Sequence, residues 1–237
     1  MYFGPDLIPF QKPLHLKIWI IVAIVSGLIP GFWIIGRFTF VLHFFRVSNA
    51  SNEPTLRTGQ FFFTSNLKKP GRFRFICYRV IIPESGPSTW VHRLCGVPGD
   101  TVEIKAGVLF VNGKDADKDF SLKHVYKINS KDIYNVDYDA EAAYTIPPYG
   151  DIIYVPLADK YIRNKTVSSQ QYILPPGLRD EAIFRIYRNN WNQDNFGPLK
   201  VPPGKFFVLG DNRVNDRDSR YHGMIDQSQY LATVLWK

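Results

Sequence analysis

Hydrophobic and polar positions are unevenly distributed along this chain. Ile18 to Gly36 reads IWIIVAIVSGLIPGFWIIG and carries no charged residue. An uncharged run of this length predicts a helix, rising about 28 Å, close to the thickness of a bilayer's hydrocarbon. Lys12 and Lys17 precede the run and Arg37 closes it. Trp19 and Trp33 lie near its ends, where interfacial aromatics are expected. The pattern predicts one spanning helix over 18–36 after a short N-terminus over 1–17. Pro30 is tolerable within it. A buried core helix and a cleaved leader are weaker readings. No small-x-small cleavage site follows before Arg37.

The remainder changes character. Short apolar segments alternate with Gly and Pro: GQFFFTS, FRFICYRVII, DTVEIKAGVLFVNGK, YGDIIYVPL and PGKFFVLGD. Such segments predict short strands and turns, so this portion is mainly β. Thr101 to Gly113 predicts a hairpin turning at Lys105-Ala106-Gly107. Phe38 to Phe45 is too short to span and predicts a strand. Two polar, irregular stretches, about 115–143 and 159–198, look like insertions in a β core. EAIFRIYRNNW, within the second, predicts a short helix.

Composition narrows the function classes. The 237 residues are 45% hydrophobic and 21% charged, which excludes a disordered chain. Lys+Arg 29 against Asp+Glu 21 gives a net charge of +8. That charge suits nucleic acid or an anionic membrane. The basic residues form no concentrated run and no nucleic-acid motif is present, so nucleic acid is not an expected partner. The two cysteines, Cys77 and Cys95, exclude a disulfide-dense scaffold. They are either paired or free and buried, with the second slightly preferred. No histidine cluster has metal-ligand spacing, so neither a metal nor a cofactor is expected.

The chemistry concentrates in three pieces. The first is Ser51-Asn52-Glu53-Pro54-Thr55-Leu56 with Gly59. The second is His92-Arg93 followed by Gly96-Val97-Pro98-Gly99-Asp100. The third is Gly210-Asp211-Asn212-Arg213 followed by Asp218-Ser219-Arg220. In this order, directly after an apolar segment, the set resembles the type I signal peptidases. These are membrane-anchored serine endopeptidases of family S26 that remove leader peptides from exported preproteins. The matching boxes cover roughly 46–113 and 201–225. The resemblance implies a signal-peptidase-type, β-barrel-like catalytic core of short coiled sheets, preceded by one transmembrane helix. It places the peptidase domain, 37–237, on the extracytoplasmic side of the cell membrane.

Residue by residue, the resemblance implies Ser51 as nucleophile, since a serine hydroxyl needs a base to become reactive. His92 stands where bacterial members usually carry Lys. Endoplasmic-reticulum and many archaeal members have His there. A histidine is a natural general base near neutral pH. The carboxylate that orients its ring is expected to be Asp218, with Asp211 as the alternative. Asn49 and the Ser51 N–H are candidate oxyanion donors. Arg220, Asn212 and Arg213 are expected to hold the site's structure. Asn52 departs from the family, which usually has Met there. The implied partners are preprotein signal peptides, an anionic bilayer and export machinery. The alternative is an inactive homologue serving as an accessory or scaffold subunit of an export complex.

Overall fold

The computed structural model describes residues 14–39, 41–83, 85–135, 146–149, 151–163, 169–214 and 216–236. Within the first helix, side chains are described over 18–31. That helix, α1, is Leu14–Thr39. The strands that follow are β1 His43–Arg46, β2 Phe61–Ser65, β3 Phe75–Ile82, β4 Gly86–Gly96, β5 Thr101–Lys105, β6 Val108–Val111 and β7 Lys114–Asp115. Next come β8 Lys123–Asn129, β9 Ile146–Tyr149, β10 Ile152–Ala158, α2 Asp159–Arg163 and β11 Ser169–Gln171. The chain continues with α3 Glu181–Tyr187, β12 Phe196–Lys200, β13 Lys205–Leu209, α4 Ser219–His222, β14 Ile225–Asp226 and β15 Tyr230–Trp236.

Among the described residues the strands form three sheets, so the fold is largely β. The main sheet has the order β1-β2-β15-β3-β4-β13-β14. A second has the order β12-β5-β6-β7, and a third, within the insertions, β11-β8-β10-β9. The expected barrel-like core is therefore corrected. Among the described residues, the first and last strands of each sheet pair inward only, so every sheet is open and none closes on itself.

The expected transmembrane helix is also corrected. A helix forms over the apolar run, but among the described residues no helix is long and apolar enough to cross a membrane. The single-pass placement in the cell membrane rested on that helix and falls with it. The N-terminus over 1–13 and the insertion residues 136–145 and 164–168 lie outside the described residues.

Local sequence accounts for the elements that carry the site. FICYRVII is rich in β-branched and aromatic residues and pairs along its whole length with β4, from Phe75↔Arg93 to Ile82↔Gly86. The β5–β6 hairpin turns at Ala106 and Gly107, both with positive φ (48° and 82°), as a two-residue hairpin turn requires. Asp180 caps α3 by accepting from the N–H groups of Ala182 and Ile183. The core between the main and second sheets gathers Cys95, Val102, Ile104, Leu109, Phe196, Phe207 and Leu209. Burying a side chain such as Leu209 contributes roughly 1.5–3 kcal/mol. This packing fixes the C-terminal half of β4 against β13. Their pairing runs from Leu209↔Arg93 to Phe207↔Gly96. Over Gly86–His92 β4 pairs only with β3, and among the described residues no strand covers its other edge.

Candidate active site

Ser51 sits in the connection between β1 and β2. Successive turns follow it: the Glu53 N–H donates to Ala50 O, and those of Thr55 and Leu56 donate to Asn52 O. Leu56 is fully buried and anchors the turn. Two side chains fasten this loop. The Asn52 amide donates to Val91 O at 2.7 Å, tying the serine turn to β4 beside His92. Asn212 donates its N–H to Ser51 O at 3.0 Å and its side-chain amide to Ala50 O at 3.2 Å. The departure at Asn52 thus has a packing role: a methionine has no amide with which to hold Val91.

His92 lies on β4 and is 3% exposed. Both ring nitrogens are engaged. Nε2 lies 2.9 Å from Asp216 Oδ1, and Nδ1 lies 2.7 Å from the Tyr78 hydroxyl. Asp216, expected from no motif, is therefore the carboxylate on the histidine. Ser51 flanks the same carboxylate, and its hydroxyl acts to lower the Asp216 pKa. Among the described residues no hydrogen bond of normal geometry reaches Asp216 Oδ2, which is buried. Gly210 makes this approach possible. A Cβ there would overlap both Asp216 Oδ2 and Ser51 O.

The two carboxylates singled out from the sequence are committed elsewhere. Asp211 accepts from Arg93 Nε and Nη2 at 2.7 and 2.5 Å, and from the Thr55 hydroxyl. Asp218 caps α4 through the Arg220 N–H and pairs with the Arg220 guanidinium at 2.8 and 2.9 Å. Arg213 pairs with Asp117 at 2.7 and 2.8 Å and donates to Gly210 O. These buried ion pairs brace the loop that carries Asp216. The Asn49 side chain turns its oxygen, rather than its amide nitrogen, to the Ser51 N–H at 3.2 Å, so the two oxyanion candidates meet each other. Cys77 and Cys95 are free and buried, and burial pushes each thiol up to about 12.

The charges around His92 are unevenly balanced. Burial disfavours its charged form, but the charge and hydrogen bond of Asp216 and the charge of Asp218 outweigh burial and the opposing Arg220. The net pKa is raised. Burial is also the main reason the Asp216 pKa is raised; His92 and Ser51 oppose it, while Asp218 adds to it. Burial opposes ionisation of Asp218 too, but Arg220 and His92 hold its pKa below the usual carboxylate range. Asp218 is thus fixed as an anion, whereas Asp216 binds a proton more readily.

Ser51, His92 and Asp216 open onto one groove of about 480 Å³. Ser48 to Ala50 line one wall and Ser88 to Val91, on the uncovered edge of β4, line the other. No group of three or more His, Cys, Asp or Glu side chains with metal-binding geometry occurs among the described residues. An alcohol beside a histidine–carboxylate pair at an open strand edge is equipped for acyl transfer on an extended peptide.

Sequence reasoning missed Asp216 and Tyr78. A signal for each was present. Asp218 directly precedes the helical segment Ser219–His222, a helix N-cap position, which commits its carboxylate to backbone N–H groups. That leaves Asp216 as the next carboxylate upstream. On paired strands the β3–β4 register sets Ile76 opposite His92, so Tyr78 is the diagonal neighbour on the same face.

The profile of the family described as signal peptidase, peptidase S26, matches residues 16–237. Signal peptidase I P of Bacillus subtilis subsp. natto is 29% identical over 183 residues, covering 77% of this chain and 68% of that protein. Signal peptidase I of Aquifex aeolicus (strain VF5) is 28% identical over 192 residues, covering 78% and 71%. A crystal structure of a signal peptidase I from Enterococcus faecalis V583 is 24% identical, covering 71% of this chain and 98% of that one, with a TM-score of 0.36.

Proposed function

The chain belongs to the signal peptidase family, peptidase S26, and we propose that it is a serine endopeptidase cleaving signal peptides, with Ser51 as nucleophile and the His92–Asp216 pair as proton acceptor. The observation that carries this reading is the convergence of Ser51, His92 and Asp216 on one groove beside an uncovered strand edge. The substrate lies extended along Ser88–Val91, adding its backbone to β4. Ser51 Oγ attacks the scissile carbonyl as its proton passes to the pair. The leaving amine then takes that proton as the C–N bond breaks. An acyl-enzyme on Ser51 remains, and a water activated by the same pair hydrolyses it. The attacked carbonyl displaces the Asn49 oxygen from the Ser51 N–H, which then faces the developing oxyanion.

Family membership supports association with a membrane in general terms. The surface next to the site suits it. Leu42, Phe44, Phe61 and Phe63 are exposed while Phe62 is buried, so β1 and β2 present aromatic side chains outward. Such a patch, on a chain of net charge +8, fits the surface of an anionic bilayer, with export machinery nearby.

The test is cleavage of a preprotein by the purified chain in detergent or lipid. Ser51→Ala is expected to lower the rate by more than about 10³-fold, as removal of a nucleophile does. Retention of wild-type cleavage by that variant would overturn the proposal.

A further inference from the structure

Tyr78 is 2% exposed and its hydroxyl is directed at His92 Nδ1 at 2.7 Å. No other hydrogen-bond partner of that hydroxyl occurs among the described residues. Its ring also lies against the imidazole, with centroids 5.8 Å apart. On the far side of the imidazole, Nε2 meets Asp216. A neutral imidazole has one N–H and one lone pair, so its two partners cannot both be acceptors. An ionised carboxylate can only accept, whereas a neutral phenol can donate. For neutral His92 the arrangement therefore selects one tautomer: Nε2–H donates to Asp216, and Nδ1 accepts from Tyr78. In that state neither nitrogen has a lone pair free for Ser51. The carboxylate that Ser51 flanks is what remains to take its proton.

We infer that Tyr78 is a positioning residue that fixes the His92 tautomer, and that Asp216 is the member of the pair that takes the Ser51 proton. This rests on the reading of Ser51 as nucleophile. The Ser51 Oγ–H bond breaks and the proton goes to an Asp216 carboxylate oxygen. An Oγ lone pair forms the bond to the substrate carbonyl carbon, and the carbonyl π pair becomes the oxyanion. As the oxyanion collapses, the C–N bond breaks and the Asp216 proton goes to the departing nitrogen. His92 supplies the hydrogen bond that keeps Asp216 oriented, and Tyr78 keeps His92 in the tautomer that donates it.

The groups facing His92 are consistent with this assignment. Asp216 and Asp218 face it from the loop ahead of α4, Arg220 and His222 from α4, and Tyr78 from β3. Burial, with the charges of Asp216, Asp218 and Cys77, drives the Tyr78 pKa well above that of an ordinary tyrosine, so the phenol stays protonated. Among these, only the Tyr78 hydroxyl is hydrogen-bonded to Nδ1.

Nitrogen-15 NMR of the full chain, labelled at histidine, reads the tautomer directly. The wild type is expected to show a protonated Nε2 and an unprotonated Nδ1 for neutral His92. A protonated Nδ1 would overturn the inference whatever the enzyme's activity. Tyr78→Phe keeps the ring and removes only the hydroxyl. It is expected to mix the two tautomers and lower kcat about tenfold or more with KM little changed. An unchanged His92 spectrum in that variant would overturn the role of Tyr78. Asp216→Asn and His92→Gln divide the pair. Glutamine retains an amide donor for Asp216, so His92→Gln should keep more cleavage than Asp216→Asn. The reverse order would assign the proton to His92 instead. Undiminished cleavage by Ser51→Ala would defeat the enzymatic reading alone, and the tautomer result would stand apart from it.

Discussion

Two buried regions of this molecule hold the same three residue types and use them differently. At the groove, His92 contacts Asp216 and Tyr78. In the third sheet, His124 Nδ1 lies 2.9 Å from Asp159 Oδ1, and the Tyr126 hydroxyl donates to the same oxygen at 2.8 Å. The Leu122 N–H donates to Asp159 Oδ2, so both oxygens of Asp159 are occupied. Among the described residues, Asp216 has only its Oδ1 bound in normal geometry. The tyrosine is placed differently too: on the carboxylate in the third sheet, on the histidine at the groove. Burial opposes ionisation of Asp159, but His124, Tyr126 and Leu122 outweigh it and lower the pKa, whereas the pKa of Asp216 is raised. A histidine–carboxylate contact is therefore no mark of catalysis by itself. The difference is an oxygen left open beside an alcohol, in a groove.

The largest effect expected from breaking this contrast is at Gly210. Gly210→Ala places a methyl group against both Asp216 Oδ2 and Ser51 O, in a loop that buried ion pairs hold rigid. Cleavage should fall by more than about 10²-fold, because a displacement of about 1 Å at reacting groups costs this much. The matching substitution Gly71→Ala, where a Cβ meets only the Arg74 side chain at ordinary van der Waals distance, should leave kcat unchanged. Comparable kcat in the two variants would remove the argument for a close-packed Ser51–Asp216 contact.

A smaller effect separates the two clusters by stability. Asp159→Asn should cost about 1–3 kcal/mol, since a buried, fully hydrogen-bonded anion is lost. Asp216→Asn should cost less while abolishing cleavage, because ionised Asp216 is held against its own desolvation. Denaturant unfolding of the two variants checks this. A greater loss for Asp216→Asn would reverse the comparison.

The finest test is pH. A carboxylate with a lowered folded pKa contributes stability above its unfolded pKa and loses it as pH falls through the folded value. Asp159 is of this kind, so its contribution should persist until below the ordinary carboxylate range. Asp216 has the opposite sign: its folded pKa is raised, so it binds its proton before an ordinary carboxylate does on acidification. The cleavage rate should therefore fall first, while circular dichroism still reports a folded chain. Loss of rate and of fold at the same pH would merge the two clusters.

How much of this was legible in the sequence depended on range. Strand content and the β5–β6 turn are local and were readable from alternation and from Ala106-Gly107. Ser51 and His92 stood out because they lie in dense, ordered motifs. Asp216 did not, because the neighbouring carboxylates Asp211 and Asp218 fitted the same motifs and drew the assignment. What commits Asp211 is long-range, since Arg93 reaches it across 118 positions, whereas Asp218 is held locally by Arg220, two positions on. Sheet closure was equally out of reach, since it depends on whether the outermost strands pair, and strand alternation is silent about that. The apolar run at 18–36 was read from composition alone.

The reach of these contacts also governs when the site comes into being. His92 and Asp216 are 124 positions apart, and Asn212 binds the Ser51 carbonyl from 161 positions further along. Contacts of such separation form late, after local hairpins and sheets have reduced the search. A nascent or partly folded chain therefore holds Ser51 without His92 and Asp216 beside it. On the proposed mechanism, reactivity arrives with the last strands of the main sheet, so the order of assembly would restrain cleavage before any inhibitor could.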